Sequence, residues 1–127
     1  MDTADIKLDE LKRAVTRLKE ALGVAKNDIV RDSVIQRFEF TVELSWKALH
    51  RFLRASGISE ALTPKNTFRE GAKLGLVSDP EAWLRFVDAR NLSSQTYKEE
   101  LAEQVYGQAQ AIVPFVEELL LRLERAR

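Results

Sequence analysis

The stretch "RFEFTVELSWKALH", residues 37–50, decides the fold. Its first ten residues alternate apolar and polar side chains, which is the signature of a half-buried strand. A helical reading competes with it. Val34, Phe38, Val42 (with Thr41), Ser45, Leu49 and Phe52 recur at steps of three and four, and Ile35, Trp46 and Leu53 widen that stripe. A stripe of this period marks one face of an amphipathic helix. The helical period continues for several turns on both sides of the alternating run, and length arbitrates such conflicts. A helix over about 28–55, with Gly57 just beyond it, is therefore predicted.

The segments on either side read the same way. Leu8, Leu11, Val15, Leu18 and Leu22 predict a helix over about 5–22, stopped at Gly23. After it, "TPKN" (63–66) starts a shorter helix, with Thr63 as N-cap and Pro64 at the first position. Phe68, Ala72 and Leu76 would face inward, with Gly75 near the end. "SDPEAW" (78–83) starts a fourth helix, capped either by Ser78 with Glu81 in a capping box or by Asp79 with Pro80 following. Trp83, Phe86 and Val87 are its apolar residues. The last helix is expected to begin near Thr96, whose spacing to Glu99 fits a capping box. Its stripe runs through Tyr97, Leu101, Val105, Ala109, Ile112, Val116, Leu119 and Leu123. Pro114 lies inside it and predicts a kink or a break, since proline removes a helical hydrogen bond. Helices joined by short loops imply an all-α, up-and-down bundle. A chain of 127 residues suits one domain, here 1–127.

Composition excludes several kinds of chemistry. There is no cysteine, so disulfides, thiol nucleophiles and zinc-thiolate sites are out. One histidine, His50, cannot form an imidazole cluster within one chain. Lys plus Arg and Asp plus Glu both number 20, which removes a domain-wide positive field as an argument for nucleic-acid binding. The N-terminus lacks an apolar signal-peptide core and no run approaches a membrane span, so no membrane association and a cytoplasmic location are expected. Neither a glycine-rich phosphate loop, a G-x-S-x-G elbow nor a paired-aspartate nucleotidyl-transfer site occurs.

Several residues have both a chemical and a structural reading. In "RNLSSQTY" (90–97), Arg90 either favours the exposed carbonyls of a helix end or binds phosphate bidentately. Asn91 is a C-terminal cap or an amide donor, Ser93 and Ser94 are loop residues or pocket lining, and Gln95 can supply amide contacts. Tyr97 is a core aromatic or a hydroxyl presented where a helix begins. Lys65, Arg69 and Lys73 share a helix face, either a phosphate-contacting stripe or a solvated one. Glu39 and Glu43 are one turn apart, as a divalent-cation pair or as surface carboxylates. Trp46 and Trp83 read as core anchors, and His50 as a surface or boundary residue rather than a catalytic one.

Two runs, "QRFEFTVELSWKAL" (36–49) and "TPKNTFREGAKLGLVSDPEAWLRFVDARNLSSQTYKEELAEQVY" (63–106), resemble the nucleotidyltransferase substrate-binding proteins of the HEPN superfamily. The F-E-F-T-x-E-L-x-W-K and R-N-x-x-S-x-T-Y patterns occur in order at matching separation. The resemblance implies a four-helix up-and-down bundle with an additional short helix, usually a homodimer. It implies a partner, a separately encoded minimal nucleotidyltransferase that would carry the catalytic aspartates, ATP and magnesium, with no cofactor on this chain. In related pairs the bundle protein is a HepT-type toxin, a metal-independent ribonuclease. Its motif is Arg, four residues, His, one residue, Tyr, and the partner neutralises it by transferring AMP to the tyrosine. Arg90 and Tyr97 match that motif, and Gln95 stands at the histidine position. Cleavage without a metal needs a group that moves the 2′-hydroxyl proton near neutral pH. Glutamine does not titrate, so no catalytic residue is assigned and weak or absent cleavage is expected. Arg90, Asn91, Ser94, Gln95 and Tyr97 are the expected substrate-binding set, Tyr97 a candidate AMP acceptor, and RNA a candidate ligand.

Overall fold

The computed structural model describes residues 3–58 and 62–126, with side chains in the first helix from Leu8 onward. The extreme ends of the expected 1–127 domain lie outside the described residues. The chain is built from α1 (Thr3–Leu22), α2 (Asp28–Ala55), α3 (Pro64–Lys73), α4 (Pro80–Leu92), a 3₁₀ turn at Ser93–Gln95, and α5 (Glu99–Ala126). Four helices form an up-and-down bundle and α3 is the additional short one. Among the described residues no strand occurs and no helix is long and apolar enough to cross a membrane.

The conflict over residues 37–50 is resolved by which side chains are buried. Phe38, Val42, Ser45 and Leu49 are buried, as the helical period requires. Phe40 is 55% exposed and Leu44 only half-buried. These two apolar residues created the alternation, and they face out of the core. Thr41 and Ser45 are tolerated inside because their hydroxyls donate to the carbonyls of Arg37 and Thr41, at 2.8 and 2.7 Å.

Local grammar sets most of the helix starts. Asn27 caps α2, its side chain accepting from the Val30 amide at 2.8 Å. Thr63 caps α3 as expected, accepting from the Asn66 amide at 3.2 Å. Of the two candidates at α4, Asp79 is the cap, accepting from the Ala82 amide at 3.1 Å. Ser78 turns away and donates to Glu118 at 2.5 Å. Gly57 and Gly75 have φ of 95° and 77°, the left-handed geometry that lets the chain leave α2 and α3.

Three expectations about the last helix fail. It begins at Glu99, not near Thr96. The Thr96 hydroxyl donates backward to the Ser93 carbonyl at 3.0 Å, so no capping box forms. The carbonyl of Lys98 instead accepts the first helical hydrogen bond, from the Ala102 amide at 3.0 Å. Tyr97 consequently precedes the helix, and at 80% exposure it belongs to no core stripe. Pro114 does not break α5, which runs unbroken from Glu99 to Ala126. Pro114 lies on the exposed face, where the carbonyl left unpaired by the missing N–H meets water rather than core.

An aromatic column joins the short helices to the bundle. Phe68 stacks on Trp83 at 4.5 Å between ring centroids, Trp83 meets Phe86 edge-on at 5.5 Å, and Phe86 meets Phe115 at 5.3 Å. At the opposite end of the molecule, Arg31 ties α2 to α5. Its side chain is only 7% exposed, and Nη1 donates to Glu99 at 2.5 Å and Glu103 at 3.2 Å. The Glu99 bond, more than its partial burial opposes, keeps the guanidinium strongly protonated. Hydrogen bonds from Lys26 and Arg31 hold the Glu103 carboxyl below its ordinary range. This cluster anchors the start of α5 just after the 93–98 connection.

Candidate functional site

Arg90 sits in the last turn of α4, where the exposed carbonyls favour a cation. Two carboxylates of α2 approach its half-buried side chain. Nε lies 3.2 Å from Glu43 Oε1, and Nη1 lies 3.9 Å from Glu39 Oε2. The Nε–H is not aimed at either oxygen, so these contacts are ion pairs rather than hydrogen bonds. Glu43 also lies 3.7 Å from Lys47. Glu39 and Glu43 are therefore neither a divalent-cation pair nor bystanders: they counter Arg90. Among the described residues no cluster of acidic or histidine side chains could hold a metal ion.

Ser93 completes the junction. Its hydroxyl lies 2.8 Å from Glu39 Oε2 and 2.6 Å from the Arg90 carbonyl, two acceptors that share one proton. Ser93 is buried, which explains why the chain turns tightly there. The outward-facing side of this turn is a cleft of about 250 Å³ lined by Asp32, Gln36, Glu39, Ser93, Thr96 and Tyr97, with Ile35 at its base. Asp32 and Glu39 make the cleft acidic, and three hydroxyls give it hydrogen-bonding capacity.

The structure thus places the "RNLSSQTY" residues on two levels. Arg90 and Ser93 face α2 and its carboxylates, while Thr96 and Tyr97 line the cleft beside them. Asn91, Ser94 and Gln95 are exposed and line neither. Neither Asn91 nor Ser94 makes a side-chain hydrogen bond among the described residues, so Asn91 is not a cap. His50 is half-buried, edge-on to Trp46 at 5.7 Å, as a boundary histidine should be. Trp83 is a core anchor, but Trp46 is only half-buried and its indole N–H has no partner among the described residues. The Lys65, Arg69, Lys73 stripe is matched locally, to Asp88 at 2.6 Å, Asn66 at 2.8 Å and Glu70 at 2.9 Å. It is a solvated face.

Sequence reasoning missed Glu39 and Glu43 as counter-charges and Asp32 as cleft lining. Their signal was their spacing along α2, at 32, 39 and 43. What that spacing could not show is which segment faces it, because Ser93 lies 54 positions from Glu39.

Residues 6–125 match the family described as nucleotidyltransferase substrate binding protein like. The chain belongs to that family. A Haemophilus influenzae protein named probable ribonuclease HepT is 37% identical over 107 residues, covering 78% of this chain and 71% of that protein. A crystal structure from Thermus thermophilus superposes with a TM-score of 0.83 at 34% identity, covering 91% of this chain and 99% of that one. A Haemophilus influenzae structure, described as revealing the fold of a substrate binding domain of a nucleotidyltransferase, gives a TM-score of 0.74 at 29% identity. It covers 95% of this chain and 96% of the other. The fold and family expected from residues 36–49 and 63–106 are thus the fold and family found.

Proposed function

We propose that this chain is a non-catalytic substrate-binding subunit that works with a separately encoded minimal nucleotidyltransferase, which brings ATP and magnesium. It holds the acceptor at the cleft around Arg90 and Tyr97. One observation carries this reading: the cleft presents Tyr97, Thr96 and Ser93 beside the carboxylates of Asp32 and Glu39, with exposed Gln95 at the position where cleavage chemistry needs a histidine. A phosphate approaching Arg90 must displace or outcompete Glu39 and Glu43. The charge therefore favours an acceptor carrying hydroxyl or amino groups over a phosphodiester. Tyr97, 80% exposed, is itself accessible to a transferase as an AMP acceptor. The working unit is expected to be a cytoplasmic homodimer, since exposed Ile29 and Phe40 on α2 leave apolar surface for a second copy.

The second reading is a HEPN-type toxin whose RNase activity is weakened by Gln95. It is favoured by the relative named probable ribonuclease HepT. One set of assays separates the two. Purified protein incubated with RNA should leave it intact; robust cleavage abolished by Arg90→Ala would sink the binding-subunit reading. Under the toxin reading, Gln95→His restores cleavage. Co-expression with a neighbouring nucleotidyltransferase, recognisable by G-S-x-x-x-G and D-x-D signatures, should give a complex. An AMP adduct seen by intact mass and absent in Tyr97→Phe identifies Tyr97 as acceptor; an adduct that persists there excludes it.

A further inference from the structure

Phe40 and Leu44, the two apolar residues of residues 37–50 that the helix does not bury, open onto a second concavity. It is a groove of about 390 Å³ between α1 and α2, on the other side of α2 from Arg90. Arg13 and Arg17 of α1 and Arg37 of α2 line it, with Glu10 as its one carboxylate.

These arginines stand apart from the other cations of α1. Lys12 and Lys19 are matched by Glu124 and Glu117 of α5, at 2.6 and 3.2 Å. Arg13 and Arg17 form no ion pair or side-chain hydrogen bond among the described residues, although the chain has enough carboxylates to neutralise every cation. Four residues apart on a helix, they place two guanidiniums on one wall, about 6 Å apart at Cβ. Arg37 reaches across and donates to the Arg17 carbonyl at 2.6 Å, with Glu20 4.0 Å away, which fixes the groove's width before any ligand arrives. Phe40 offers an exposed ring face beside them.

Guanidiniums recognise phosphate oxygens bidentately, and an exposed aromatic ring gives a base a surface to stack on. We propose that the α1–α2 groove binds a nucleotide unit, with phosphate on Arg13 and Arg17 and the base on Phe40. The unit is either a free mononucleotide or part of a single-stranded chain. This surface is separate from the acidic cleft, whose carboxylates disfavour the same phosphate.

The test uses full-length protein carrying Arg90→Ala, so that binding at the other site does not contribute. The probes are a fluorescein-labelled single-stranded RNA of about eight nucleotides and, separately, AMP as titrant and competitor. Arg13→Ala/Arg17→Ala should weaken binding at least tenfold. It should also reduce the slope of log affinity against log salt by about 1.4, or about 0.7 for each lost phosphate contact. Phe40→Leu keeps an apolar side chain but removes the ring, and should weaken binding about fivefold or more. Arg69→Ala/Lys73→Ala, on the solvated stripe, should change nothing. AMP binding with the same arginine dependence assigns the free nucleotide; RNA binding that AMP does not displace assigns the chain. Failure of both probes to bind overturns the proposal. So does binding that survives the double arginine variant with its salt slope intact. A dimer dissociated by Phe40→Ser, with neither probe bound by either form, also overturns it and makes the face a contact between copies.

Discussion

Two glycines in helix interiors provide a matched pair of perturbations with opposite expected signs. Gly71 lies in α3 and Gly107 in α5. Replacing glycine by alanine in a helix interior gains about 0.8–1.0 kcal/mol of helix propensity, by restricting the unfolded chain. At Gly107 an added Cβ meets nothing within 4 Å, so Gly107→Ala should realise that gain in full. For a domain of this size it amounts to about 3–5 °C in Tm. At Gly71 the same Cβ would lie 2.7 Å from Leu49 Cδ2 and 3.2 Å from both Leu49 Cδ1 and Val77 Cγ2. Leu49 is completely buried, so it cannot yield without displacing its own neighbours. Overpacking of this kind costs about 1–3 kcal/mol, which cancels or exceeds the propensity gain. Gly71→Ala should therefore be neutral to about 2 kcal/mol destabilising. Urea denaturation of the two variants side by side, with equal m-values, measures the difference directly. If Gly71→Ala stabilised the protein as much as Gly107→Ala, the close approach of α3 to α2 at Leu49 would be wrong.

Pro114→Ala restores an amide inside α5 that can bond to the Gln110 carbonyl, and should raise stability by up to about 3 kcal/mol in the same denaturation assay. Glu103 has a folded pKa below its unfolded value, so its contribution is fully present above the unfolded pKa and is lost as pH falls through the lowered one. Wild-type Tm should accordingly drop below about pH 4, and Arg31→Met, which removes one of the two donors to Glu103, should flatten that drop in a pH series of thermal melts. Trp83→Ala, which empties the centre of the aromatic column, should cost about 3–5 kcal/mol by denaturant titration. Tyr97→Phe should change stability by less than about 0.5 kcal/mol, because the side chain is 80% exposed, while any AMP adduct on it disappears.

Some of this was legible because its physics is local. The period of apolar residues along 28–55 bounded α2 to within its observed ends, since burial repeats every 3.6 residues wherever one face meets a core. Thr63 and Asp79 were readable as caps for the same reason: the amides they satisfy are three residues away. Thr96 obeyed the same spacing rule and failed, because its hydroxyl found the Ser93 carbonyl in a tight turn that no spacing rule describes. The patterns at 38–47 and 90–97 were enough to identify the family, and with it the bundle.

What the tertiary structure alone decided is the electrostatic character of the two surfaces. Arg90 read as a phosphate ligand when taken with its own loop, yet Glu39 and Glu43 from α2 stand against it. Arg13 and Arg17 read as an ordinary polar face of α1, yet the fold leaves them unmatched across from Phe40 while α5 neutralises Lys12 and Lys19. Composition records only that the charges balance over the whole chain. Coulomb interactions fall off with distance through space, not along the chain, so only the packing of α1, α2, α4 and α5 determines which charges cancel and which remain to bind.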